Sequence, residues 1–274
     1  MAEAVRAGGH VVGYATTART DRWWLAPLLT LCGLGGFVVY ATWAAFQGSH
    51  YFYDPYLSPF YSPVLFVDPS APGAAPLEHA WFGSWPAWWP SFLPASPALL
   101  ILVFPGAFRA TCYYYRKAYY RSFFGTPPGC AVGPVPQGRY RGETGLLIIQ
   151  NLHRYALYFA IAFIFILYYD AFRAFFRQGQ FGVGAGSVIL LINPTLLAGY
   201  TFGCHSWRHL VGGGLDCFSC DRASAVRHGA WRGSSALNAH HMQWAWVSLF
   251  WVAFSDVYVR LVSMGVLHDL STWG

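Results

Sequence analysis

The 274-residue chain is 55% hydrophobic and 19% aromatic, with only 10% of its residues charged and a formal net charge of +6. An average soluble domain carries about 25% charged residues, so this composition excludes a water-facing globular domain. It equally excludes disorder, collagen, coiled coil and a disulfide-rich secreted scaffold.

The prediction is an all-α integral membrane protein, with residues 1–274 forming a single membrane domain. A bilayer core about 30 Å thick needs about 20 apolar residues at 1.5 Å each. The first 22 residues hold no apolar central run, so no cleavable signal peptide is expected and the first hydrophobic stretch is retained as an anchor. That stretch, 25–47, is the first predicted span. The connection 48–96 follows, with no Lys or Arg but with Tyr51, Tyr53, Tyr56, Tyr61, Trp81, Trp85, Trp88 and Trp89 among many prolines. Such amphipathic rings favour the headgroup layer, which predicts a lid on the outer interface; a binding loop is the alternative. The second span, 97–119, has a Pro-rich approach (Pro90, Pro94, Pro97), and Pro105 predicts a kink inside it. The third is 145–174. The fourth, 187–210, is interrupted by Asn193-Pro194, and the fifth is 236–266. No alternating strand pattern appears, and helices satisfy their own backbone in lipid.

Orientation follows from the basic residues. Arg6, Arg19 and Arg22 precede the first span. The second connection has Arg116, Lys117, Arg121, Arg139 and Arg141, the third only Arg173 and Arg177, and the fourth Arg222, Arg227 and Arg232 after Arg208. None follows Arg260. Basic loops favour the cytoplasm, so the amino terminus is expected there and the carboxyl terminus outside the plasma membrane. This bias accounts for the net positive charge, and no basic segment reads as a nucleic-acid-binding module.

His205, His209, Cys204, Cys217, Cys220, His240 and His241 fall within 38 residues, near the expected cytoplasmic interface. His205 and His209 are i and i+4, on one helical face. Cys217-Phe-Ser-Cys220 is a C-x-x-C loop, which Gly212-Gly213-Gly214 frees to fold back. Two thiolates and two imidazoles form the ligand set of a Rieske-type [2Fe–2S] centre or a tetrahedral zinc site. The bland alternatives are polar packing for the histidines and an inert or structural pair for the cysteines. A disulfide is not expected in a reducing compartment. Cys32 and Cys112 read as apolar packing, and Cys130 carries no assignment. Asp256 and Arg260, i and i+4, are expected to pair.

The run Gly203-Cys204-His205-Ser206-Trp207-Arg208-His209-Leu210-Val211-Gly212-Gly213, then Asp216-Cys217-Phe218-Ser219-Cys220, resembles actinobacterial succinate dehydrogenase membrane anchors. Trp244-Ala245-Trp246-Val247-Ser248-Leu249-Phe250 and Asp256-Val257-Tyr258-Val259-Arg260 strengthen that likeness. It is similar in particular to the mycobacterial haem-free form with a membrane-embedded Rieske-type cluster. The resemblance is specific in 203–260.

The resemblance implies a respiratory complex II anchor. A flavoprotein subunit oxidises succinate, an iron–sulfur subunit passes on the electrons, and this chain reduces a membrane quinone, menaquinone. Within it the cluster ligands map to His205, His209, Cys217 and Cys220, with Cys204, His240 and His241 as alternates and the cluster side facing the cytoplasm. Ser206, Arg208, Trp207, His240, His241 and Trp244 supply the residue types a quinone needs. This chain shows no FAD or succinate site of its own. Two other readings stand beside this one. A haem b cytochrome would draw on His153 with the later histidines, and a small transporter is suggested by Asn193-Pro194 and Asp256.

Overall fold

The computed structural model describes residues 5–6, 10–11, 13–135 and 144–273; Arg139 and Arg141 lie outside them. Two strand pairs are short hairpins, β1 (Val5–Arg6) with β2 (His10–Val11) and β3 (Phe52–Tyr53) with β4 (Tyr56–Leu57). A third joins β5 (Phe176–Arg177) to β6 (Gln180–Phe181). Among the described residues the other regular elements are a 3-10 turn, Leu77–His79, and the helices α1 (Leu25–Gln47), α2 (Pro97–Ile101), α3 (Val103–Thr111), α4 (Tyr113–Ser122), α5 (Thr144–Arg173), α6 (Ala185–Phe202), α7 (His205–Gly212), α8 (Arg222–Ala239) and α9 (His241–Ser263).

Among the described residues, four helices are long and apolar enough to cross a bilayer: Leu25–Gln47, Asn151–Arg173, Ala185–Phe202 and His241–Ser263. A fifth candidate is the bent pair Pro97–Thr111 and Tyr113–Ser122, which turns by 79°. The sharp bend therefore falls at Cys112, not at Pro105, where the helix merely breaks at Leu102. The reason is compositional. Tyr113–Ser122 carries Arg116, Lys117 and Arg121, and basic side chains are expensive in hydrocarbon. The fourth and fifth spans also differ from the expected 187–210 and 236–266: α6 stops at Phe202, and the basic, Ser-rich α8 precedes α9 as a separate helix.

The chain divides into two compact units, Met1–Val39 with Arg109–His153, and Tyr40–Phe108 with Arg154–Gly274. In the first, the segment before α1 pairs with the turn after α4. The Ala15 N–H donates to the Gly133 carbonyl at 3.0 Å, Gly133 N–H to Thr16 at 2.8 Å, and Arg19 Nη1 to the Cys130 carbonyl at 2.9 Å.

In the second unit α6 packs along α9. A Cβ on Gly199 would lie 2.6 Å from the Trp244 ring, so only glycine permits this approach. Trp251 Nε1 donates to the Ile189 carbonyl at 3.0 Å, recovering a buried donor. Tyr56, Ala171, Ala174, Leu190 and Val259 form an apolar cluster at the end nearest β4.

The 48–96 connection is no surface lid over 51–67. Tyr51, Tyr56, Phe60, Tyr61, Val64 and Val67 are buried. Polar clamps hold it there. The Ser58 and Tyr40 hydroxyls donate to the Asp256 carboxylate, Arg260 Nη1 donates to the Ser49 carbonyl at 2.8 Å, and Ser62 donates to Asp170. Asp256 and Arg260 pair as expected, at 3.4 Å. The connection's later aromatics, Trp81, Phe82, Trp88 and Phe92, stay exposed.

Candidate functional site

The histidine- and cysteine-rich stretch occupies the end of the second unit where α6 stops. Gly203 caps α6, and Cys204, extended at φ −70° and ψ 145°, is the N-cap residue of α7. After α7, Gly214 turns the chain at φ +69°, a conformation few other residues adopt without strain. Asp221 then caps α8, its carboxylate accepting from the Ser224 N–H at 2.9 Å.

α8 runs back across both helix ends and satisfies carbonyls that a helix terminus leaves open. Ser234 donates to Phe202 and Asn238 Nδ2 to Gly203, both at 2.7 Å; Arg227 donates to Val211 at 3.0 Å and Gly213 at 2.7 Å. Arg208 donates to Asn238 Oδ1 at 3.0 Å and lies over the Trp231 ring. This lattice fixes α7 relative to α6.

On α7, His205 and His209 meet edge to face with ring centroids 4.5 Å apart, and both are exposed. Partial burial of His205, which lies beyond the span, disfavours its imidazolium; His209, Arg208 and Arg154 add to that. The i, i+4 reading is thus reproduced as a juxtaposition. The cysteines are not as expected. Cys217 and Cys220 form a disulfide, with Cα atoms 5.8 Å apart. In that state neither offers a thiolate, and Phe218 between them stacks on His228, a histidine of α8. Among the described residues no group of three or more His, Cys, Asp or Glu side chains forms a metal cage. In the disulfide state Cys217 and Cys220 contribute no thiolate to the expected set of His205, His209, Cys217 and Cys220.

Of the alternates, one is buried and one half-buried. Cys204 is 3% exposed. One turn before it, the Tyr200 ring stacks on His241 with centroids 5.0 Å apart, so a thiol and an imidazole lie at the same helix junction. His240 is exposed and caps α8. The first unit holds a pair of the same composition. Cys112, also buried, is the extended N-cap residue of α4, and the neighbouring Thr111 Oγ1 lies 2.9 Å from His153 Nδ1, also buried. Sequence reasoning set Cys112 aside as packing. The signal was there in part: both buried cysteines sit where an apolar helix gives way to a basic one.

Of the residues named for a quinone, Ser206 lines a cavity of about 270 Å³, together with Arg154, Leu157, Tyr158, His209 and Leu210. Trp207 instead packs on Phe202, Trp244 against Gly199, and Arg208 against Trp231. Arg154, Tyr158 and His209 were missed as lining residues, because Arg154 and Tyr158 come from α5, far away in sequence.

A family model described as actinobacterial succinate dehydrogenase subunit SdhC matches residues 25–265. No curated protein matches the chain. Among solved structures, the chain is similar to one of the Mycobacterium smegmatis Sdh1 complex in the apo form. The identity is 45%, the TM-score 0.81, and the match covers 95% of each chain.

Proposed function

The chain belongs to the family of actinobacterial succinate dehydrogenase membrane subunits, and from that premise we propose that it relays electrons through a Rieske-type [2Fe–2S] cluster to a membrane quinone. It is the membrane anchor of the complex and does not itself oxidise succinate. Its soluble partners in this reading are a flavoprotein and an iron–sulfur subunit. The α7–α8 end faces them in the cytoplasm, and the 48–96 connection lies outside the plasma membrane.

The observation that carries the proposal is that the buried Cys204 thiol and the half-buried His241 ring, which stacks on Tyr200 one turn before Cys204, both lie at the α6–α7 junction. A mixed thiolate and imidazole donor set is what a Rieske centre uses. In this reading Cys204 and His241 are donors, and the Cys217–Cys220 pair is not. Bound there, the cluster would supply one-electron transfer at a potential above that of all-Cys clusters. The lattice formed by α8 holds the junction in place, and burial of Cys204 keeps water from its sulfur.

Quinone binds in the cavity formed by α5 and α7. Ser206, His209 and Arg154 offer donors to carbonyl oxygens, while Leu157 and Leu210 form apolar walls. Ligand pockets of this type combine apolar walls with a few placed polar groups. A transport function, raised by Asn193-Pro194, gives way to the family membership.

The test is spectroscopy of the intact complex. Iron, acid-labile sulfide and a Rieske-type electron paramagnetic resonance signal are expected, and Cys204→Ser or His241→Ala should remove the signal while dye-linked succinate oxidation persists. A haem Soret band in the purified anchor would replace the cluster by haem b.

A further inference from the structure

α4, in the first unit, carries a charge pattern that electron relay does not use. Tyr113, Lys117 and Arg121 stand at i, i+4 and i+8 and share one helical face. Tyr113 is 65% exposed, Lys117 is exposed and Arg121 is half-buried. Like charges at i and i+4 destabilise a helix, and no carboxylate among the described residues pairs with either; the ion pairs there are Arg19–Asp21, Arg177–Asp54 and Arg260–Asp256. Arg121 gathers a further cation. Its Nη2 lies 3.7 Å from the Cys130 Sγ, and Arg19 Nη1 donates to the Cys130 carbonyl at 2.9 Å, so two guanidinium groups converge on one residue. Over 13–39 and 109–135, Arg19, Arg22, Arg109, Arg116, Lys117 and Arg121 stand against Asp21 alone.

The placement selects the anion. α4 turns 79° from the preceding span at Cys112 and so runs close to the plane of the bilayer. Its far end stays at the membrane: a Cβ at Gly35 of α1 would lie 3.8 Å from the Phe123 ring, and Phe123 and Phe124 are exposed beside that span. We infer that α4 binds the phosphate headgroups of anionic phospholipids in the leaflet at this end of the chain.

The fit is chemical. A phosphodiester accepts from the Lys117 ammonium and the Arg121 guanidinium and removes the repulsion between them. The Tyr113 hydroxyl serves the glycerol region, and the Phe123 and Phe124 rings enter the acyl chains, as in helices buried about 5–10 Å into the interface. Basic clusters next to a span recognise anionic lipid in this way. Arg116 is not part of the site; it is buried and lies over the Tyr113 and Tyr120 rings. An acidic protein surface is the other anion such a face could take, but exposed rings pressed against a span favour lipid.

Photolabelling the intact complex in phosphatidylcholine nanodiscs with a trace of phosphatidylglycerol bearing a headgroup diazirine, followed by peptide mapping, tests this. Label is expected in 113–124, displaced by unlabelled phosphatidylglycerol. Each cation at an anionic lipid surface is worth about fivefold in affinity, so Lys117→Gln/Arg121→Gln should cut the label roughly 25-fold. Lys117→Arg/Arg121→Lys keeps both charges and should retain it. An acyl-chain probe labelling 25–47 in the same nanodiscs reports insertion of each variant. Equal label in 113–124 from a phosphatidylcholine headgroup probe overturns the inference, as does undiminished label in the Gln variant. Displacement by inorganic phosphate would mark a small-anion site, and label that emerges only after the soluble subunits are stripped would mark a protein interface; either overturns it.

Discussion

The His241 imidazole lies almost flat on the Tyr200 ring, centroids 5.0 Å apart and planes 18° from parallel. Tyr200 belongs to the last turn of α6 and His241 to the first residue of α9. The contact therefore pins the start of one span to the end of another, one turn from Cys204. If His241 is a cluster donor, Tyr200 is its positioning residue. Tyr200→Phe keeps the stacking surface and should keep the Rieske-type signal; Tyr200→Ala should broaden or lose it, with the soluble subunits still attached. An unchanged signal in Tyr200→Ala would remove that role.

Asp256 and Arg260 are both buried, and their charges meet at 3.4 Å while holding Ser58, Tyr40 and the Ser49 carbonyl. Removing one partner of a buried pair leaves an uncompensated charge, at a cost of about 3–5 kcal/mol. Asp256→Ala should thus lower the thermal midpoint of the complex sharply and expose 48–67 to protease first. Replacing both residues by apolar ones of similar volume should recover part of that loss. Equal resistance to protease in Asp256→Ala and the native chain would show that the clamp contributes nothing.

Gly199→Ala adds a methyl 2.6–3.0 Å from three atoms of the Trp244 ring. Overpacking of this kind costs about 1–3 kcal/mol. Because Trp244 is stacked on the span itself, the expected result is a lower thermal midpoint, restored in part by Trp244→Phe. A neutral outcome would mean that α6 and α9 part easily.

Asp221 caps α8, and its hydrogen bonds to the Ser224 side chain and N–H hold the carboxyl below the ordinary carboxylate range. A depressed folded-state value means the contribution is present above the unfolded value, about 3.9, and fades as pH falls through the folded one. Protection of amides 222–226, relative to their intrinsic exchange rates, should fall below about pH 4 in the native chain. Asn is an equally good cap that does not titrate, so Asp221→Asn should abolish this pH dependence.

Hydropathy made the spans legible, since each must be long and apolar on its own. Their ends were less so. α6 stops at Phe202, and α8 stands apart from α9, because side chains from a later helix cap the broken ends, and such long-range partners leave no local trace. The Asp256–Arg260 pair was legible because both residues share one helix. The donors were harder to read. Local spacing favoured Cys217 and Cys220, which bond to each other. Thr111, next to Cys112 in the chain, meets His153 only through a contact spanning 42 residues.

The most direct measurement is electron paramagnetic resonance, with iron and sulfide content, on two variants of the purified complex. Cys217→Ser/Cys220→Ser should keep a full Rieske-type signal and quinone reduction, while Cys204→Ser should lose both and still oxidise succinate with an artificial dye. The same assay on Cys112→Ser and His153→Ala reports on the first unit's pair. A signal lost with the loop cysteines and kept in Cys204→Ser would contradict the assignment of the buried donors.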